Sequence, residues 1–210
     1  MPRLSYFGIL IVVLTLFADY QARTERKAFL DASAKCANIT LTPAPAIAAC
    51  SAVIGRAPKA GWAYANRGLA YSSNMQQDLA VADLDTAINI DPDYAWAYAV
   101  RAVVYHVKGD REHEIADFTK AIALNPADAQ SYSNRALAYL QNGETELAIA
   151  DTSRAIEINP KLVAAYINRA AAHKKAGDDA RAIEDYRSAL ALKPRDQTSI
   201  DGLKRLGVGG

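Results

Sequence analysis

The apolar positions of this chain fall on helical spacing over most of its length. From Gly61 onward they form pairs of short stretches. In the first pair, Tyr64, Gly68 and Tyr71 stand at i, i+4 and i+7, one face of a helix, and Ala80, Leu84, Ala87 and Ile88 make a second such face. A polar turn separates the stretches, and Pro92 marks the end of the second. The pattern then recurs. Pro58, Pro92, Pro126, Pro160 and Pro194 are each 34 residues apart, as are Tyr64, Tyr98, Tyr132 and Tyr166. Gly68, Ala102, Ala136 and Ala170 form a column of small residues in the same register, and Ala87, Ala121, Ala155 and Ala189 another. Tyr71, Tyr105 and Tyr139 share a column, where the fourth position is His173. A fixed period of this size signals a repeat architecture, here helix, turn, helix, turn.

Each part of the unit has a local reason. Gly109, Gly143 and Gly177 punctuate the turn, where glycine can take the left-handed conformation that ends a helix. Met75 replaces that glycine in the first regular unit, and Asn74 is expected to take the left-handed position instead. The small columns let the helices of a hairpin approach, with Ala80, Ala148 and Ala182 on the second helix. One hairpin cannot bury its apolar faces alone, so stability comes from stacked neighbours. Two positions depart from the columns: Glu114 stands where a small alanine is expected, and Thr152 where a large residue is. Looser or locally polar packing is expected there.

The columns Tyr64, Gly68, Tyr71, Ala80, Leu84, Ala87 and Pro92 resemble the tetratricopeptide-repeat family, with Arg67 in place of its usual leucine. The resemblance covers residues 61 to 194. It implies an all-α, right-handed solenoid of antiparallel hairpins, with repeats at 61–94, 95–128, 129–162 and 163–195. Pro58 is in step, and Ala46, Cys50 and Val53 occupy the columns of Ala80, Leu84 and Ala87, so a degenerate hairpin is expected at 27–60. A capping helix is expected at 196–206, with Ile200, Leu203 and Leu206 over the last hairpin and Asp201, Lys204 and Arg205 facing water.

The amino terminus reads differently. Met-Pro-Arg precedes an apolar run from Leu4 to Ala18, intermediate between a signal core and a full span of about 20 residues. Residues 1–22 are therefore expected to be a signal peptide or a membrane anchor, inserting in or passing through a membrane; the alternative is a buried helix. Cys36 and Cys50 are the only cysteines. In an oxidising compartment such a pair suggests a disulfide stapling the first hairpin, and two buried thiols are the alternative. Together these features point to an extracytoplasmic or membrane-anchored protein.

Composition narrows the function classes. Hydrophobic residues make up 51% of the chain and charged residues 22%, a globular balance, and the formal net charge is +1. That argues against nucleic acid as the main partner, because phosphate binding needs many basic contacts. No motif for catalysis, metal or cofactor binding is found: His106, His113 and His173 form no zinc-binding pair, the glycines stand singly at turns, and no serine has a hydrolase context. A structural role is expected for His173. One polar pattern recurs in every regular repeat. Arg67, Arg101, Arg135 and Arg169 lie on first helices, and Asp83, Asp117, Asp151 and Asp185 lie on second helices. Each arginine is expected to pair with an aspartate of its own or the next repeat; the alternative is an arginine row that reads an acidic partner.

The resemblance implies a concave groove lined by first-helix residues that holds a segment of a partner protein. Carried over by column, its candidate contacts are Trp62, Asn66, Leu69, Trp96, Val103, Asn134, Leu137 and Asn168. Asparagine amides can bond an extended backbone, and tryptophans offer large anchor surfaces. Members that grip acidic peptide tails use lysine and arginine at set groove columns. Here those columns hold Ala65, Trp62, Trp96 and Gln130, and Asn66, Val100, Asn134 and Asn168, so such a clamp is not expected. The reading is a protein-interaction scaffold of the cell envelope; a self-associating assembly factor is the alternative.

Overall fold

The structure is a computed structural model that describes residues 6–38 and 40–209, with the side chains of residues 6–17 and 19 outside the description. Among the described residues there are eleven helices and no strand. The chain divides into two compact units, Met1–Ile90 and Asp91–Gly210.

The amino-terminal unit holds α1 (Tyr6–Ala37), α2 (Pro43–Arg56), α3 (Gly61–Ser73) and α4 (Gln77–Ile90). The carboxy-terminal unit holds α5 (Ala95–Lys108), α6 (Arg111–Leu124), α7 (Ala129–Asn142), α8 (Thr145–Ile158), α9 (Val163–Lys175), α10 (Asp179–Leu192) and α11 (Gln197–Arg205). Within each unit consecutive helices pack as antiparallel pairs.

Close approach inside a hairpin explains the small columns. A Cβ added at Gly68 would lie 2.9 Å from Leu84 Cγ and 3.1 Å from the carbonyl of Ala80. Ala102, Ala136 and Ala170 are buried at the equivalent positions. Thr152 is fully buried and returns its hydroxyl to the Ala148 carbonyl at 2.7 Å, so a buried polar group is satisfied within its own helix. Second helices start on aspartate caps where the sequence supplies them: Asp110 accepts from the amide of His113, and Asp178 from that of Arg181. They stop at Asn125 and Asn159, whose side chains accept the amides of Ala127 and Lys161 as the chain passes the prolines.

The turn after the first helix corrects one expectation. Gly109, Gly143 and Gly177 have φ of +76°, +90° and +80°. In the first regular repeat the left-handed residue is Met75, at φ +59°, and Asn74 stays at −94°. The hairpin geometry fixes which position must reverse, and it imposes that conformation even on an unbranched L residue that disfavours it.

α1 is a single helix of 32 residues against the 14 of α2. At about 1.5 Å per residue it is more than twice as long as its partner. Its carboxy-terminal part carries the contacts: Phe29, Ala32 and Cys36 pack with Ala49, Cys50, Val53 and Ala63. Arg56 at the end of α2 donates to the Glu25 carbonyl at 2.8 Å. Tyr20 to Ala28 are exposed. The boundary expected between residues 22 and 27 thus falls inside one continuous helix. The apolar run Leu4–Ala18 lies almost entirely outside the described side chains; among the described residues no helix is long and apolar enough to cross a membrane.

At the other end, Gly202 of α11 sits on the ring of Tyr186, where a Cβ would come within 2.5 Å of Cζ. Ser199 is buried and bonded to its cap Asp196 at 3.0 Å. Ile200, Leu203 and Leu206 are half-buried. Asp201, expected to face water, is half-buried as well and accepts from Gln197 at 2.9 Å, because the contact face is centred on Ser199 and Gly202.

Candidate peptide-binding groove

The arginine and aspartate columns meet within each hairpin. Arg67, Arg101, Arg135 and Arg169 donate through Nε and Nη2 to both carboxylate oxygens of Asp83, Asp117, Asp151 and Asp185, at 2.6 to 2.9 Å. Each arginine thus pairs within its own repeat. The third nitrogen, Nη1, reaches the previous hairpin: Arg67 to Ser51, Arg135 to Thr119 and Arg169 to Ser153, at 3.0 to 3.2 Å. The tyrosines three residues before and four after each arginine, at 64 and 71, 98 and 105, and 132 and 139, flank the guanidinium, with ring centroids 5.5 to 6.0 Å from Cζ. A bidentate pair between aromatic faces is a strong, geometrically specific contact. The hydrogen bond to Asp83 raises the pKa of Arg67. This geometry engages each of the four guanidiniums with a carboxylate of its own repeat.

The fourth repeat keeps only one flanking ring, Tyr166. His173 occupies the other position, 4% exposed, with Nε2 3.9 Å from Asp185 and, among the described residues, no hydrogen-bond partner for Nδ1. Burial, followed by the nearby Arg181, lowers its pKa below the ordinary histidine value.

The groove residues divide by unit. In the amino-terminal unit Trp62 is exposed, and Asn66 donates from Nδ2 to the Cys36 carbonyl at 3.0 Å, tying α3 to the last turn of α1. Asn66 and Leu69 line a cavity of about 160 Å³ with Cys36, Leu41 and Pro43. Cys36 and Cys50 are joined as a disulfide, with Cα atoms 4.7 Å apart. In the carboxy-terminal unit Trp96 is half-buried and tilted against Tyr94, with centroids 6.1 Å apart. Asn168 donates to the carbonyl and hydroxyl of Ser133 at 3.0 and 3.2 Å. Asn66 and Asn168 therefore each direct amide hydrogen towards a neighbouring helix. Asn134 differs: its Oδ1 accepts from Gln130 at 2.9 Å, and its side chain faces a cavity.

That cavity, of about 210 Å³, brings together Val103, Asn134 and Leu137 with three residues that sequence reasoning did not assign to the groove: His106, Glu114 and Phe118. Glu114 is 1% exposed. Its Oε1 lies 3.0 Å from His106 Nδ1, and its Oε2 accepts from Arg111 Nη1. A buried charge needs such partners. The signal in the sequence was Glu114 itself, a long acid in a column of alanines. Among the described residues no cluster of three or more His, Cys, Asp or Glu side chains could hold a metal ion.

The sequence matches the family described as "Tetratricopeptide repeat" at residues 63–94, 97–128, 129–162 and 163–196, well over half of the chain. The chain belongs to the tetratricopeptide-repeat family. Among solved structures it is similar to MamA from Desulfovibrio magneticus RS-1, at 17% identity and a TM-score of 0.70 over 82% of this chain and 97% of that one. It is also similar to YrrB, a tetratricopeptide-repeat protein with an unusual peptide-binding site, at 16% identity and a TM-score of 0.65 over 76% of this chain and 82% of that one. The first such domain of Spaghetti (RPAP3), bound to the HSP90 peptide SRMEEVD, matches at 25% identity and a TM-score of 0.53 over 54% of this chain and 92% of that one. No curated protein sequence matches this tetratricopeptide-repeat chain.

Proposed function

We propose that this tetratricopeptide-repeat protein is an interaction scaffold of the cell envelope that holds a segment of partner proteins on its first-helix face. The observation that carries the reading is the cavity bounded by Val103, Asn134 and Leu137, an apolar recess with polar groups at its edge on the face where family members take peptides. RPAP3 and YrrB support it as relatives with peptide sites. The Cys36–Cys50 disulfide supports an oxidising compartment, and the apolar run Leu4–Ala18 supports export or anchoring. No catalytic role is proposed. Self-association is the second reading, favoured by exposed apolar side chains on α1, with Tyr20 65% and Leu30 58% exposed.

Cross-linking capture from intact cells, wild type against a Trp96→Ala, Asn134→Ala variant of equal helicity, tests the groove. Loss of a specific partner from the variant is expected. Unchanged capture would count against the groove, and concentration-dependent sedimentation would then favour self-association.

A further inference from the structure

The chemistry of the cavity between α5, α6 and α7 is more specific than a general apolar recess. Its walls are Val103, Phe118 and Leu137, and its polar edge is His106 and Asn134. Its volume far exceeds the roughly 10–15 Å³ that one water needs. The surrounding first-helix columns carry no charge: Trp96, Gln130 and Ala164; Ala99, Ser133 and Ile167; Val100, Asn134 and Asn168. Among the described residues that line the cavity the one carboxylate is Glu114, and the Arg111 that pairs with it neutralises it. A charged side chain entering this cavity would be desolvated without a counter-ion.

The buried acid also fixes the hydrogen-bonding sense of His106. Nδ1 faces Glu114 Oε1 at 3.0 Å and Arg111 Nη1 at 3.2 Å. A carboxylate can only accept, and its contact with Nδ1 is the shorter of the two. The proton therefore belongs on Nδ1, donated to the carboxylate in a charge-assisted bond. In the neutral imidazole Nε2 is then an acceptor. Asn134 accepts from Gln130 through Oδ1, which leaves Nδ2 as a donor. An acceptor and a donor beside an apolar pocket match the N–H and C=O that flank one residue of a peptide.

We infer that this cavity is an anchor site for an uncharged partner segment that inserts one side chain of leucine to phenylalanine size, with His106 and Asn134 bonding its backbone and Glu114 acting as the positioning residue for His106. The inference rests on the groove reading above and narrows it to a partner class: apolar-anchored segments, as opposed to acidic or basic ones.

The test titrates the full chain with N-acetyl-leucine methylamide and N-acetyl-phenylalanine methylamide, against the glutamate and lysine analogues, watching the Val103 and Leu137 methyl groups by NMR. The apolar probes are expected to shift those methyls and to bind at least about tenfold more tightly than the charged ones. In mildly alkaline buffer, nitrogen-15 spectra should place the His106 proton on Nδ1. Glu114→Ala restores the residue this column has in the other repeats, so folding is retained; it should abolish that preference and weaken the leucine probe severalfold. Equal binding of charged probes, methyls that do not respond, or a His106 proton on Nε2 would each overturn the inference. If cellular capture depends on the groove while the probes fail to discriminate, the groove reading stands and this one falls.

Discussion

The hairpin α1–α2 and the four regular hairpins solve one problem with different chemistry. In each regular hairpin an arginine from the first helix grips an aspartate from the second, with one or two tyrosine rings against the guanidinium. At the matching positions the amino-terminal hairpin has Leu30, Ser33, Ala37 and Ala49. Ser33 simply returns its hydroxyl to Phe29, and Leu30 is exposed. The clamp is gone, and a covalent bond stands in for it. Cys36 and Cys50 occupy the columns of Ala70 and Leu84, both buried apolar positions in the next hairpin. A non-covalent clamp depends on several groups at once, whereas a disulfide works between two buried positions and limits the unfolded chain. A terminal hairpin that lacks the clamp residues can still be held closed.

This contrast can be broken or sharpened by mutation. The largest effect is expected from Arg135→Leu. It installs the usual family residue but leaves the Asp151 carboxylate, 11% exposed, without its counter-ion. A loss of about 3–5 kcal/mol is expected in urea unfolding, and Arg135→Leu with Asp151→Leu should recover most of it. A single-variant loss below about 1 kcal/mol, or no coupling in the cycle, would remove the ladder from the account. The next effect is Cys36→Ala with Cys50→Ala. A loss of about 3 kcal/mol is expected for so short a loop. Hydrogen exchange should rise in α2 and the carboxy-terminal part of α1, with α7 to α10 unaffected. Exchange rising throughout would show that the staple is not local.

His173→Tyr restores the missing ring of the fourth repeat. Burial depresses the pKa of His173 in the fold. As pH falls through the ordinary histidine value near 6.5, the unfolded chain takes a proton that the folded chain refuses. Stability is therefore lost on acidification, progressively down to the folded pKa, and this loss should be smaller in the variant. Parallel slopes from about pH 7 to about pH 5 would contradict that role. The smallest effect is expected from Met75→Gly. Met75 is 78% exposed, so its side chain contributes little packing. Relief of its left-handed backbone should slightly outweigh the entropy cost of glycine, a gain of up to about 1 kcal/mol. The reverse change, Gly109→Met, should lose about 1–2 kcal/mol. Thermal melts that shift the opposite way would argue against strain at this turn.

Much of the fold was legible because its signals are local and repeated. The prolines in step, the small columns and the helical spacing each report on residues a few positions apart. The turn at Met75 departs from residue preference because hairpin geometry decides which position reverses. The candidate site was only partly legible. Val103, Asn134 and Leu137 were found by column, but the side chains that complete their cavity arrive from α5 and α6. Asn66 and Asn168 look equivalent to Asn134 in sequence, yet both donate to a neighbouring helix.

The sequence by itself determined the repeat, its period, the hairpin unit and the joint recurrence of arginine and aspartate, because a solenoid writes its packing rules into every copy. Tertiary structure alone decided that each arginine pairs within its own repeat, that the tyrosines close on its guanidinium, and that Glu114 meets His106 and Arg111. Those outcomes depend on distances between helices and on the burial of charge, which no single stretch of sequence contains.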